Sequence, residues 1–380
     1  MTVYMPDTDY KAICDATREK CGTTGLLKSW EIKPLLAALE TGGAKFTLTV
    51  NVDSGSTVVA TKGSLSVSGT AAGGVCVLTL PEAGDWMVSA SLDGETVSKV
   101  VNVVGEYAAE AKFLPPLGTP LNDMSWEEIS EIAKAGLASQ YFNIGDCKEM
   151  VLDYSYSSFT LSNYTTYCFI IGIDHNAEIE GANLIHFQLA KTALADGIDI
   201  AFIDTYYESD SGCIKMTRGE SNAGGWAGSL MKSTLCSGTP DSFTDVSFLA
   251  ALPDDLRAVL APVTKYTDNA GGASSVASNV TATVEYLFLL AEYEALGFVY
   301  RANTTEKNHQ QQYAYYAAGN GLKKKKHTAI ANGAYWWTRS AAVAANSSTF
   351  ALISSTGNGS NTYGSYSYGF APCFCIGGIE

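Results

Sequence analysis

The chain has 380 residues, with 24 Lys and Arg against 39 Asp and Glu, giving a formal charge of −15 at pH 7. That length predicts two or three domains, because one core rarely grows beyond roughly 250–300 residues. The acidity argues against nucleic-acid binding through a basic footprint, the 46% apolar content excludes wholesale disorder, and no apolar run approaches the roughly 18 residues that membrane insertion requires.

The first residues, MTVYMPDTDY, lack a basic region followed by an apolar one, so no signal peptide is expected. Residues 1–43 predict a short helical segment. Tyr10, Ile13, Cys14 and Thr17 share one face, with Gly22 as the stop. Ser29 then caps a run with Ile32, Leu35, Leu36 and Leu39, which ends at Gly42-Gly43. So small a unit buries little core alone, which leaves three readings: an attachment segment docking on a partner, a self-assembled bundle, or a cap on the next domain.

From 44 to 104 the period becomes strand-like. Phe46, Leu48, Val50 and Val52 alternate with polar residues, and the runs Ser64–Val67, Val75–Leu80, Trp86–Ala90 and Thr96–Val103 follow across turns such as Gly73-Gly74 and Asp93-Gly94. The pattern predicts an immunoglobulin-like β-sandwich with Trp86 inside, a spacer without histidine. Pro115, Pro116 and Pro120 mark 105–124 as a stiff linker. Ser125 and Glu128 then spell a capping box for a helix carrying Trp126, Ile129, Ile132 and Ala133 on one face and stopping at Gly136. Strand-like runs (Tyr167–Ile173, Ile198–Ile203), helical patterns near Gly224–Cys236 and Pro253–Leu260, and an ambiguous Tyr286–Leu290 run complete one α+β domain over 125–380.

Nine cysteines include no C-x-x-C pair, so buried thiols are expected, and Cys373 and Cys375 fall on one face of a strand. Formal glycosylation sequons at Asn163, Asn279, Asn303, Asn346 and Asn358 carry no meaning without a secretory route. His175, beside Asp174 and near Glu178 and Glu180, matches no standard metal spacing and reads as a scaffold histidine. His186 in an apolar run reads as a core histidine, and His309 and His327 have no recognisable partner. Lys323–Lys326 reads as a solvated loop. Nucleotide-binding glycine loops and G-x-S-x-G elbows are absent.

The C-terminus is the most informative stretch. Residues 328–380 carry two charged side chains, Arg339 and Glu380, and 341–379 contain no Lys, Glu, Gln, Met or Trp. Asn, Ser, Thr, Gly, Ala and Tyr replace them, as in SSTGNGSNTYGSYSYGF. Trp336 and Trp337 before the tract, Phe350, Leu352 and Ile353 within it, and Phe374 and Ile376 after it argue for order. Tyr supplies rigid contact area and Ser, Gly and Asn supply adaptable hydrogen bonds, the composition of antibody paratopes. The missing types also have a genetic reading: randomising the first two bases of an AAC codon never yields Lys, Glu, Gln, Met or Trp.

The order WWTRS, a Tyr/Ser/Asn/Gly tract, then YGFAPCFCI resembles the end of C-type-lectin-fold variable proteins of diversity-generating retroelements, the family of the phage major tropism determinant. TLSNYTTYCFIIGIDHNAEIEG, GGWAGSLMKSTL and QQYAYYAAGN resemble a lectin-like domain family of gut Firmicutes phages and prophages, and YKAICDATREKCGTTGLLKSWEIKPLL resembles the leading segments of phage tail proteins. The resemblance implies a C-terminal C-type-lectin-like domain with a variable tract at about 341–371. It places Asn346, Ser348, Ser354, Thr356, Asn358, Ser360, Asn361, Tyr363, Tyr366 and Tyr368 on the ligand-binding face, and Trp336, Trp337, Phe350, Phe374 and Ile376 as supports. Glu-Pro-Asn, Gln-Pro-Asp and Trp-Asn-Asp, the tripeptides of calcium-dependent sugar lectins, do not occur. The tract also has no Asp or Glu, so calcium-mediated sugar binding there is not expected.

The expectation is therefore a non-enzymatic receptor-recognition protein without a cofactor or metal. It would be made in the bacterial cytoplasm and carried on a phage tail, attached to other virion proteins by its N-terminus, open to homotrimer formation, and directed at a host cell-surface protein or glycan. Two alternatives stand beside it. One is a fixed-specificity structural virion protein. The other is an oxidase resembling formylglycine-generating enzymes, which share the lectin-like fold and use paired cysteines, here Cys373 and Cys375.

Overall fold

The computed structural model describes residues 46–103, 107–110, 115, 117–343 and 346–378. The helices expected in 1–43 lie outside the described residues. The chain divides into two compact units, one ending at Pro116 and one starting at Leu117. Strand dominates, helices are few, and no helix among the described residues is long and apolar enough to cross a membrane.

In the first unit, strands β1 (Phe46–Asn51), β2 (Thr57–Lys62), β3 (Leu65–Thr70), β4 (Val75–Leu80), β5 (Gly84–Leu92), β6 (Glu95–Val103) and β7 (Tyr107–Glu110) form two sheets, ordered β4-β1-β7 and β3-β2-β5-β6. Period-two alternation sends Leu48 and Val50, Val58 and Ala60, Leu78 and Leu80, and Trp86 and Val88 into one shared core. Trp86 is fully buried and its indole N–H donates to the Glu82 carbonyl at 3.1 Å, so the ring leaves no polar atom orphaned. Two strands escaped the sequence pattern. β2 pairs with both β3 and β5. β7 lies within the residues expected as linker, yet it runs parallel to β1 from Leu48↔Tyr107 to Asn51↔Glu110.

The second unit opens with helix α1 (Trp126–Lys134). The Ser125 hydroxyl accepts from the Glu128 amide at 3.2 Å, and the Glu128 carboxylate accepts from the Ser125 amide at 2.6 Å. Gly136 follows at φ +71, a conformation that a side chain rarely adopts. The buried face of α1 sets Trp126 edge-on to Phe187 and Phe374, at 5.7 and 6.2 Å.

Those two phenylalanines belong to a five-stranded antiparallel sheet. Its strands are β8 (Cys147–Tyr156), β9 (Phe159–Ile173), β10 (Leu184–Lys191), β12 (Leu260–Ala261) and β20 (Cys373–Gly377), in the order β12-β20-β10-β9-β8. Strand β10 is buried on both faces, so its sequence, LIHFQLAK, shows no alternation. Smaller sheets surround this one. β11 (Ile200–Ala201) pairs with β15 (Lys324–Lys326), which pairs with β16 (Ala329–Ala334), and β13 (Val263–Asp268) pairs with β14 (Val280–Glu285). β17 (Trp336–Ala341), β18 (Thr349–Ile353) and β19 (Gly359–Tyr363) form the last antiparallel sheet.

Two expectations need correction. The helices expected around Gly224–Cys236 and Pro253–Leu260 shrink to single turns, Leu230–Ser233 and Asp254–Arg257, so the α contribution to the α+β domain is small. Residues 224–228 instead form a tight glycine turn, in which a Cβ on Gly225 would meet the Asp268 carbonyl at 1.9 Å. Nor is the lysine run a solvated loop. Lys324 is fully buried, donates to Gln188 Oε1 at 3.1 Å and lies 4.9 Å from the Trp336 ring centre. Burial lowers its pKa to about 8.

Candidate ligand-binding face

The tract singled out by composition folds as the β18–β19 hairpin, anchored by β17. All six residues of β17 and all five of β18 are buried. The five expected supports, Trp336, Trp337, Phe350, Phe374 and Ile376, are each 0% exposed. The Trp336 indole N–H donates to the Leu322 carbonyl and that of Trp337 to the Ile214 carbonyl, both at 3.1 Å.

The ten expected face residues distribute along this hairpin. At one end, Asn346 is exposed and its side-chain oxygen accepts from the amide and hydroxyl of Ser348, both at 2.9 Å. Tyr363, exposed, and Tyr366, half-buried, meet there with ring centres 5.9 Å apart. At the other end lies the turn between β18 and β19, with Thr356 and Asn358 exposed. Ser354 is 7% exposed; its hydroxyl accepts from the Asn358 amide and bonds the Thr356 hydroxyl, so it shapes the turn from a largely buried position.

Between the two ends, Ser360, Asn361 and Tyr368 line a concavity of about 220 Å³ together with Glu208, Tyr335, Leu352 and Thr362. Its aromatic wall is built on Tyr368, whose ring centre is 5.5 Å from Trp337 and 5.8 Å from both Tyr207 and Tyr335. The Tyr207 hydroxyl accepts from the Tyr335 amide at 2.5 Å, which fixes that wall to the 205–209 loop. Burial raises the pKa of both Tyr207 and Tyr368, and the Glu208 carboxylate adds to each rise. These phenols stay neutral hydrogen-bonding groups at physiological pH.

Several of these residues escaped the sequence reading. Thr362 shares the strand period of Ser360, and Tyr335 directly precedes the tryptophan anchors; both signals were available. Glu208 had none: it sits in a loop at φ +62, its amide donating to the Ser367 carbonyl at 2.7 Å. Asn222 is also hidden from pattern. Its side-chain amide is buried and donates to the carbonyls of Ala342 and Thr349 at 3.3 and 3.1 Å, while its backbone amide donates to Ser347 at 2.7 Å. One residue thus clamps both sides of the loop leading into the hairpin.

A second cluster lies inside the unit. Arg339, on β17, holds Glu294 through both terminal guanidinium nitrogens, and two more of its N–H groups donate to Thr267 Oγ1 and the Leu289 carbonyl. Lys265 bonds Glu180, reaches Glu294 at 3.4 Å and donates to the Tyr313 hydroxyl at 2.7 Å. Burial pushes Glu180 up to about 7 against the pull of Lys265. Burial also opposes ionisation of Glu294, but Arg339 and Lys265 overcome it and hold that carboxyl low.

His175 stacks on Tyr313 with ring centres 3.6 Å apart and lies 3.8 Å from Glu180, and burial lowers its pKa to about 3. His175, Glu180 and Glu294 each offer a metal-ligand atom within 4.8 Å of one another. Two cations already balance the two carboxylates, so a divalent ion there would face the Lys265 ammonium and the Arg339 guanidinium at close range. The arrangement is a closed charge network supporting β17 from beneath.

The paired cysteines belong to the same interior. Cys375 Sγ lies 3.2 Å from His186 Nδ1, a neighbour that sequence did not reveal. Burial raises both thiols and lowers His186 well below its usual value, so thiol and imidazole stay neutral instead of forming a thiolate–imidazolium pair. Both side chains are 0% exposed. The other histidines are packed as well: His309 stacks on Tyr266 at 4.5 Å, and His327 Nδ1 accepts from the Ile203 amide at 2.9 Å.

A family described only as a domain of unknown function, DUF6273, matches residues 205–378. That span contains the ten expected face residues and the whole lining of the concavity, whereas His175, Glu180 and His186 precede it. No curated protein and no solved structure matches the chain.

Proposed function

We propose that this protein is a non-enzymatic recognition protein that binds a host cell-surface ligand through the β18–β19 hairpin and the concavity beside it. The observation that carries the reading is a division of labour along 336–376. The supports are wholly buried, with both tryptophan indoles hydrogen-bonded, while nine of the ten expected face residues stay at least partly accessible. Side chains on such a face can change without touching the core, which is what a diversified tract requires. In this reading the second unit is a C-type-lectin-like domain and the first an immunoglobulin-like spacer. The N-terminal segment fastens the protein to a phage tail, and several copies on one particle multiply a weak contact by avidity.

Two measurements test it. Sequencing the coding DNA for residues 335–376 across a phage or prophage population should find substitutions concentrated in AAC-like codons of the face, with the Trp and Phe supports fixed. A uniform tract refutes diversification. Replacing Asn361 and Tyr363 by Arg should abolish binding to the host cell while leaving the melting curve unchanged. Undiminished binding refutes recognition through the hairpin and leaves a structural virion protein as the better account.

A further inference from the structure

We infer that the concavity between Glu208 and the β19 strand takes a protonated amine on the ligand. The inference rests on the recognition reading above and names the chemistry of its site. Charged side chains are missing from the whole hairpin, so the sign of the site is set by the one lining residue that carries charge, Glu208. Among the described residues its carboxylate has neither an ion pair nor a hydrogen bond, and its left-handed backbone is pinned by the bond to Ser367. A carboxylate held at the rim without a partner has its acceptor capacity free for a donor from outside.

The rest of the lining suits the same guest. Tyr335 and Tyr368 pack at a 57° tilt and offer aromatic surface, whose negative faces attract an ammonium group. The Ser360 hydroxyl and the Asn361 amide, also without protein partners, can accept the remaining N–H bonds. The fold already uses this pairing next door, where the Lys326 ammonium lies 3.9 Å from the Tyr207 ring centre. Lys326 opposes a positive guest, but among the described residues it makes no ion pair with Glu208. An anionic guest would instead meet Glu208 and a chain carrying −15. A protonated amine is offered by lysine side chains of a surface protein and by amino sugars of a surface polymer, and the test separates the two.

Full-length protein is titrated by NMR or calorimetry with Nα-acetyl-lysine methylamide and with glucosamine. The neutral counterparts, norleucine amide acetylated at nitrogen and N-acetylglucosamine, serve as references. At least one amine should bind with an affinity that Glu208→Gln lowers about tenfold, the worth of one charge-assisted hydrogen bond. Added salt should weaken the amine and leave the neutral probes alone. Preference for the lysine probe assigns a protein source, and preference for glucosamine a glycan source. Equal binding of charged and neutral probes, no binding of either amine, or an unchanged affinity in Glu208→Gln overturns the inference. Cell binding by the same variant, set against the Asn361 and Tyr363 arginine variants, separates the two failures. Loss in the arginine variants alone leaves recognition standing without the amine; loss in none of them refutes both.

Discussion

The sharpest test of the interior is Arg339→Met. The guanidinium is fully buried and makes four hydrogen bonds, two to Glu294 and one each to Thr267 and the Leu289 carbonyl. Methionine fills much of the same space but leaves Glu294 with Lys265 at 3.4 Å as its one remaining cation among the described residues, and leaves the Leu289 carbonyl one donor short. Removing one partner of a buried pair costs about 3–5 kcal/mol, because the remaining charge stays desolvated. For a unit of this size that lowers the melting temperature by roughly 10 °C. Calorimetry of the full chain reads the change, with the transition of the β-sandwich unit as internal reference. Adding Glu294→Gln should recover part of the loss, since the pair is coupled. A drop below about 1 kcal/mol, or strict additivity of the two substitutions, would refute the charge-network account.

Other outcomes follow from the same geometry. Burial lowers His327 to about 4 from an ordinary 6.5. The unfolded imidazole therefore takes up its proton first, and stability falls as pH drops from about 6.5 to about 4, by at most about 1.4 kcal/mol per unit. Below that window the contribution is constant. His327→Gln, which keeps an acceptor for Ile203, should remove one proton from the pH slope of stability, and an unchanged slope contradicts the assignment. Asn222→Ala should cost about 2 kcal/mol and speed hydrogen exchange at 346–349, because several backbone partners lose their bonds at once. Unaltered exchange there would show that the loop holds itself. Native-state alkylation followed by peptide mass spectrometry should leave Cys373 and Cys375 unmodified until the protein unfolds, whereas rapid labelling would restore the case for thiol chemistry.

Legibility in the sequence tracked how local each determinant is. The Ser125–Glu128 capping box, the stop at Gly136 and the alternating strands around Leu48, Leu78 and Trp86 depend on neighbours within a few residues, and all could be read directly. The β7 strand was hidden because its pairing with β1 joins segments some sixty residues apart, while three nearby prolines mimic a linker. The single-turn helices near Leu230 and Asp254 were over-read because buried apolar residues in irregular chain imitate helical spacing. Composition located the hairpin and its supports, yet it missed Glu208, which enters from a loop more than 140 residues upstream. The charge network was equally invisible: Glu180, Lys265, Glu294 and Arg339 come from four separate elements, and Lys324 looked solvated because its aromatic surroundings are assembled only in three dimensions.

The position of β19 has one more consequence. It is the edge of its sheet, paired with β18 on one side and, among the described residues, with no strand on the other. Its five residues, GSNTY, are too few and too polar to invite runaway pairing between copies. Yet the peptide groups along that open margin do not depend on which side chains the strand carries. If the tract is diversified as proposed, every variant presents the same row of main-chain donors and acceptors. Under the proposed reading, part of the interaction with a ligand would therefore be shared by all versions of the face, and changes in side chain would adjust selectivity on top of that common foundation.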